Sequence, residues 1–187
     1  MKSSIKSLAA CLGLGAALVS ASAYAEGFYA ELGYASVKVE LSAMGASASG
    51  TPSDAVLHVG YMFTKNFGAE ILGTTSVSDA GVGGGKVKLD SAYGAYLKGQ
   101  IEVAPSFELF ARIGYVNGTI ALSGGGQSAS TSDGAFSYAA GLQYAFTKNW
   151  YVQVDYAQYY NKTASAAGLG SASITARGPS ISVGYRF

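Results

Sequence analysis

Nine titratable side chains fall on one parity of the extended runs in this chain: Glu31, His58, Glu70, Lys98, Glu102, Glu108, Arg112, Asp155 and Arg186. Catalysis would require a nucleophile and a base placed where substrate can reach them. His58 is the only histidine and stands mid-run on the inward parity, away from any lipid substrate. A transition metal would want a second histidine or a thiolate. The only cysteine is Cys11, inside the leader described below. No catalytic residue, cofactor or metal site is therefore assigned. "GVGGGKV" from Gly81 has the look of a phosphate loop, but that loop needs Gly where Ala80 stands and Ser or Thr at Val87.

What the nine can do is pair. Enclosed charges without partners are strongly penalised, so a face carrying Glu31, Glu70, Glu102, Glu108 and Asp155 beside Lys98, Arg112 and Arg186 must form a network. Gln100, Gln143 and Gln153 share that face. The expected meetings are Lys98 and Arg112 with Glu70, Asp155 or Glu102. Such a network fixes strand register in a polar core, or it lines a gated ion path; the residues leave both open.

Period-two patterning supplies the elements that must hold these side chains. From Phe136 to Phe146 the even positions are Phe, Tyr, Ala, Leu, Tyr and Phe, and the odd ones are Ser, Ala, Gly, Gln and Ala. One face is greasy and the other small or polar. Trp150, Val152, Val154 and Tyr156 alternate in the same way, as do Ile181, Val183, Tyr185 and Phe187. The runs are Gly27 to Leu41, Ser53 to Phe63, Phe67 to Ser78, Lys86 to Val103, Phe107 to Leu122, Ala135 to Phe146, Trp150 to Lys162 and Ile174 to Phe187. Each covers the roughly 9 to 11 tilted residues that cross a membrane as a strand.

Composition agrees. The sequence is 49% hydrophobic, with 14 Tyr and 26 Gly, and only 12% charged, where a water-soluble domain carries about 25%. Beyond Val19 no stretch approaches the roughly 18 apolar residues of a membrane helix. The remaining way to satisfy every backbone group in lipid is a closed β-barrel. A net charge of +1 offers no field to recruit nucleic acid.

Residues 1–25 read as a signal peptide: Lys2 and Lys6, an apolar run from Leu8 to Val19, and the exit Ala23-Tyr24-Ala25. Leu8-Ala9-Ala10-Cys11 resembles a lipoprotein box, yet only Ser7 to Ala10 separate Lys6 from Cys11, too few for the roughly 7 to 15 apolar residues a signal needs. Residues 26–187 are then a single barrel domain.

The connections alternate long and short, with Thr64-Lys65-Asn66, Ala104-Pro105-Ser106 and Thr147-Lys148-Asn149 as the short turns. Four longer connections, at 42–52, 79–85, 123–134 and 163–173, are rich in Gly, Ser and Ala and read as flexible loops. Short turns on one side and long loops on the other is the outer-membrane pattern. "FTKN" occurs at Phe63 and again at Phe146, four strands later, as repeated turn architecture. Phe63, Phe67, Phe146 and Trp150 would form an aromatic girdle at the interface. The inward glycines Gly60, Gly94, Gly114, Gly141 and Gly184 are expected to leave room for water.

The signal, the eight runs, "GYMFTKN", "QYAFTKNWYVQVDY" and the ending "SISVGYRF" resemble the small eight-stranded outer-membrane barrels of Gram-negative bacteria, the OmpA/OmpX-like, porin-family group. The resemblance covers 187 − 25 = 162 residues. It implies an all-β, antiparallel up-and-down transmembrane barrel in the bacterial outer membrane, with periplasmic termini and extracellular long loops. It also implies lipid and lipopolysaccharide as surroundings, a monomeric state, and Val183, Tyr185 and Phe187 as the signal read by the outer-membrane assembly machinery. The peptidoglycan-binding domain of full-length OmpA is expected to be absent after Phe187. That group includes adhesins, structural proteins, narrow channels and lipid-modifying enzymes. The expected function is an integral barrel with a polar, occluded lumen and a structural or surface-interaction role; a narrow solute channel and a loop-mediated adhesin stay open.

Intact mass and N-terminal sequencing of membrane-extracted protein should place the mature terminus at Glu26. A diacylated Cys11 terminus would overturn the reading of the leader.

Overall fold

A computed structural model describes residues 27–43, 46–82, 85–124, 127–166 and 170–187. Residues 1–26, with the expected signal peptide and Cys11, lie outside the described residues. The strands are β1 (Gly27–Ser36), β2 (Lys38–Ala43), β3 (Ala46–Gly50), β4 (Ser53–Met62), β5 (Phe67–Ser78), β6 (Ala80–Val82), β7 (Gly85–Ala104), β8 (Phe107–Gly124), β9 (Gln127–Ala145), β10 (Trp150–Ala166) and β11 (Gly170–Arg186).

Pairing runs antiparallel through β1, β4, β5, β7, β8, β9, β10 and β11, and β11 returns to β1. At the seam Glu31 stands opposite Gly184 and Leu32 opposite Val183. Eight staves form a closed barrel in which each is paired on both sides. The other three strands prolong its wall: β2 and β3 form a hairpin beside β11, and β6 pairs with β7.

The four Gly/Ser/Ala segments read as flexible loops are therefore largely strand. β8 and β9 stay in register from Phe107↔Tyr144 to Gly124↔Gln127. β10 and β11 pair as far as Ala166↔Gly170. Alternation is invisible where both faces carry small side chains, yet the backbone ladder does not depend on side-chain contrast. β7 spans 20 residues, about twice the 9 to 11 that a membrane crossing needs. The long hairpins stand well clear of the bilayer at one end.

Short turns and both termini share the other end. In each "FTKN" turn a threonine caps the bend: Thr64 Oγ1 accepts from the amides of Asn66 and Phe67, and Thr147 Oγ1 from those of Asn149 and Trp150. The asparagine then reaches the neighbouring strand. Asn66 Nδ2 donates to the Gln100 carbonyl at 2.8 Å, and Asn149 Nδ2 to that of Arg186 at 2.7 Å. Backbone bonds double each clamp, from Gln100 N to Asn66 O and from Arg186 N to Asn149 O. In the third turn Pro105 presets the bend and Ser106 takes the left-handed φ of 70° that follows it.

The outer face is apolar. Leu32, Ile71, Leu97, Ile113, Val154 and Ile181 are each more than half exposed, a continuous greasy surface that water would not tolerate. Phe63, Phe67, Phe146 and Trp150 are exposed beside the short turns. A second aromatic ring, Tyr34, Tyr93, Tyr115, Phe136 and Tyr156, encircles the barrel above them. Phe136 and Phe146 are 146 − 136 = 10 residues apart on one stave, which at a tilt of about 40° separates the rings by about 25 Å, the height of an outer-membrane apolar band.

Arg at Leu142, Val152, Val154 or Val183 should cost about 2 to 4 kcal/mol of barrel stability, falling toward the aromatic rings. Urea unfolding in vesicles checks this. Arg at inward Gly141 or Ser182 should show no such dependence on depth, because it crowds the lumen instead.

Candidate functional site

The lumen holds every buried charge of the described residues, and β1 supplies its centre. Glu31 is 1% exposed and accepts four hydrogen bonds. Lys98 Nζ (2.8 Å) and the Tyr151 hydroxyl (2.9 Å) meet Oε1; Arg112 Nη2 (2.5 Å) and Gln153 Nε2 (2.6 Å) meet Oε2. The donors come from β7, β8 and β10. One carboxylate thus ties the bore together across its width.

Arg112 carries the ties further. Its Nη1 donates to Asp155 Oδ2 at 3.0 Å, and its Nε lies 2.6 Å from Glu70 Oε1 at an angle that makes an ion pair without a good hydrogen bond. Glu70 also accepts from the Tyr29 hydroxyl (2.6 Å) and His58 Nδ1 (2.9 Å). A carboxylate only accepts, so that histidine nitrogen carries the hydrogen. Lys98 packs over the Tyr29 and Phe110 rings, and Arg112 over Phe110, adding cation–π attraction inside the knot.

Of the meetings expected from sequence, Arg112 with Glu70 and Asp155 is present; Lys98 pairs with Glu31 in place of the expected Glu70, Asp155 or Glu102. Glu102 belongs to none of them: it is exposed past the end of the bore, beside the bulge that precedes the Pro105 turn. It keeps the parity of its register partner Glu108 and lines the same mouth. Glu108 and Arg186 pair at the short-turn mouth, where Gln143 also donates to Glu108. Gln100 turns to the Lys65 carbonyl. Glu31, His58 and Glu70 offer three ligand atoms within 4.8 Å of one another, but Arg112 and Lys98 already hold both carboxylates, and a cation would have to displace them.

Two features of the lumen differ from the sequence expectation. The inward glycines leave no water space there. The Tyr29 ring fills the position a Cβ would take at Gly60, the Tyr151 ring does so at Gly184, and Phe110 crowds Gly141. Glycines and aromatics form matched pairs on neighbouring staves, so the Tyr29 and Tyr151 rings lie against the wall with their hydroxyls on Glu70 and Glu31. Nor is the lumen polar throughout. Toward the hairpin end it is closed by Ala35, Val37, Val56, Leu72, Val116 and Ala176 with their neighbours, an apolar cluster packed on Tyr96. Tyr96 in turn shares a hydrogen bond with Ser137 at 2.7 Å. These Val and Ala positions resemble outward ones in type, which conceals them in the sequence.

Beyond the upper aromatic ring several surface charges are paired. Arg177 and Lys38 both reach Glu40. Asp133 is held by Lys162, Tyr160 and its own neighbour's amide, Gly134, which bring its carboxyl down to about 2.

A greasy exterior, two aromatic rings, and a barrel filled with its own side chains define the class: an integral membrane β-barrel of the smallest size that a packed interior allows. The sequence matches the outer membrane protein beta-barrel domain over residues 7–187, and the chain belongs to that family. Solved structures of the same fold include OprG from Pseudomonas aeruginosa, with a TM-score of 0.58 and 17% identity over 86% of this chain and 96% of that one. Neisserial surface protein A superposes with a TM-score of 0.57 and 15% identity, covering 86% and 97% of the two chains. Ail, the attachment invasion locus protein of Yersinia pestis, gives 0.55 and 18% over 86% and 99%. At these identities the likeness is one of fold. No curated protein sequence matches the chain. Family and neighbours are outer-membrane proteins of Gram-negative bacteria.

Gly184→Ala should cost about 1 to 3 kcal/mol, as overpacking does, because the new methyl drives Tyr151 off Glu31. Gly73→Ala, which meets nothing within 4 Å, should leave the urea midpoint near wild type.

Proposed function

We propose that the protein is a sealed structural barrel of the outer membrane, with termini and short turns in the periplasm, hairpins outside the cell, and no catalytic step of its own. The observation that carries this reading is the four-donor lock on Glu31, drawn from three staves across the bore, with the apolar cluster stacked above it. An ion crossing would have to break at least one buried pair and then enter an apolar layer. Both steps are costly.

The orientation follows from export, since an N-terminus delivered by a cleaved signal of residues 1–25 starts in the periplasm. The protein works as a monomer among lipid and lipopolysaccharide. Val183, Tyr185 and Phe187, beside the closing seam, are the segment the assembly machinery would grip. The hairpins offer the surface through which contacts outside the cell would be made.

Planar-bilayer recording tests the seal. Wild type should be silent, and Arg112→Ala, which takes a cation from three carboxylates, should both conduct and lose about 3 to 5 kcal/mol of stability. Steady wild-type conductance, insensitive to Arg112→Ala and Lys98→Ala, would sink the sealed barrel and promote the narrow channel.

A further inference from the structure

Within the apolar layer lies a cavity of about 40 Å³, walled by Val37, Val56, Val116, Ala176 and Tyr159 and by two carboxylates, Asp54 and Asp133. A single water takes about 10 to 15 Å³ on this measure, so the space exceeds what one water fills. Asp54 is 1% exposed. Neither of its oxygens has a hydrogen-bond partner among the described residues, and the hydroxyl of Ser76, directly opposite it on β5, has none either. Every other buried carboxylate in the lumen is held by a cation. Asp133, at the hairpin-end rim of the same cavity, is taken up by Lys162.

A buried carboxylate without donor or counter-ion is strongly unfavourable, and this one belongs to the cavity wall. We infer that the cavity is a binding site for a small organic ammonium ion, its charge on Asp54 and its short alkyl tail against the valines and Tyr159. The donor set decides the class. Calcium or magnesium would want about six or more oxygens. Around the cavity Asp54 supplies two, and the Thr74 hydroxyl already accepts the Ala92 amide. Zinc would want nitrogen or sulfur ligands, which this wall lacks. A primary alkylammonium carries three N–H donors and an apolar tail; the two Asp54 oxygens and the Ser76 hydroxyl opposite offer three acceptors, and the valines and Tyr159 offer the apolar surroundings. Its volume limits the tail to about three carbons.

This site goes beyond the sealed-barrel reading and does not depend on it, because a closed lumen can still admit a ligand from its hairpin end. The test titrates folded protein in lipid vesicles with methylammonium and propylammonium chloride, against potassium chloride and tetrabutylammonium chloride at equal ionic strength. The expected result is a saturable rise of several degrees in unfolding midpoint with the two small amines only, abolished in Asp54→Asn. Methyl resonances in detergent micelles keep the question answerable should that variant fail to fold: shifts should concentrate at Val37, Val56 and Val116 and spare the outward Val152 and Val183. No saturable response, an equal response to potassium, an equal response in Asp54→Asn, or shifts spread evenly over inner and outer valines would each overturn the site.

Discussion

Glu31 is the point on which the interior depends. A carboxylate sealed inside a barrel this narrow must have its charge answered by the protein, and four donors answer it. Arg112 is drawn to the centre by the same requirement and brings Glu70 and Asp155 with it. The knot has three carboxylates, two permanent cations and a histidine. The strands are fastened from inside by charge as well as from edge to edge by backbone hydrogen bonds.

Aromatic rings make that fastening possible. Tyr29 and Tyr151 are too large for the inner wall unless a glycine stands opposite, and Gly60 and Gly184 stand there. Each ring is pressed flat and its hydroxyl arrives where a carboxylate needs a donor. Packing and electrostatics are thus satisfied by the same side chain. Above this level the requirement changes: the wall carries Val and Ala, the filling is apolar, and Asp54 is the exception that gives the layer its chemistry.

Much of this was legible in the sequence, for identifiable reasons. Contrast at period two, as at Phe136 to Phe146, marks the staves because one face meets lipid and the other does not. The inward charges followed from the same parity. Parity placed Glu102 on the inward side but could not show that it lies at the open mouth, and it gave no sign of the hairpin extensions, whose Ser, Ala and Gly have no contrast to display. It also could not pair Gly60 with Tyr29 or Gly184 with Tyr151, because those partners are 60 − 29 = 31 and 184 − 151 = 33 residues apart and meet only through register. Asp54 was hidden most completely. Its run reads as an ordinary strand start, and only the closed barrel shows that nothing answers its charge.

The asparagine clamps of the two "FTKN" turns bear on a hazard peculiar to closed sheets. In an open sheet a strand that slips by one position spoils its own pairing; in a ring the error is carried round to the seam, where the last stave no longer meets the first. A slip of one also exchanges the faces, which would deliver Glu31 and Arg112 to lipid. Asn66 and Asn149 each fix a hairpin to the carbonyl of a stave outside it, four strands apart. They act as two index pins, one per half of the ring, each tying the register of its hairpin to the next stave.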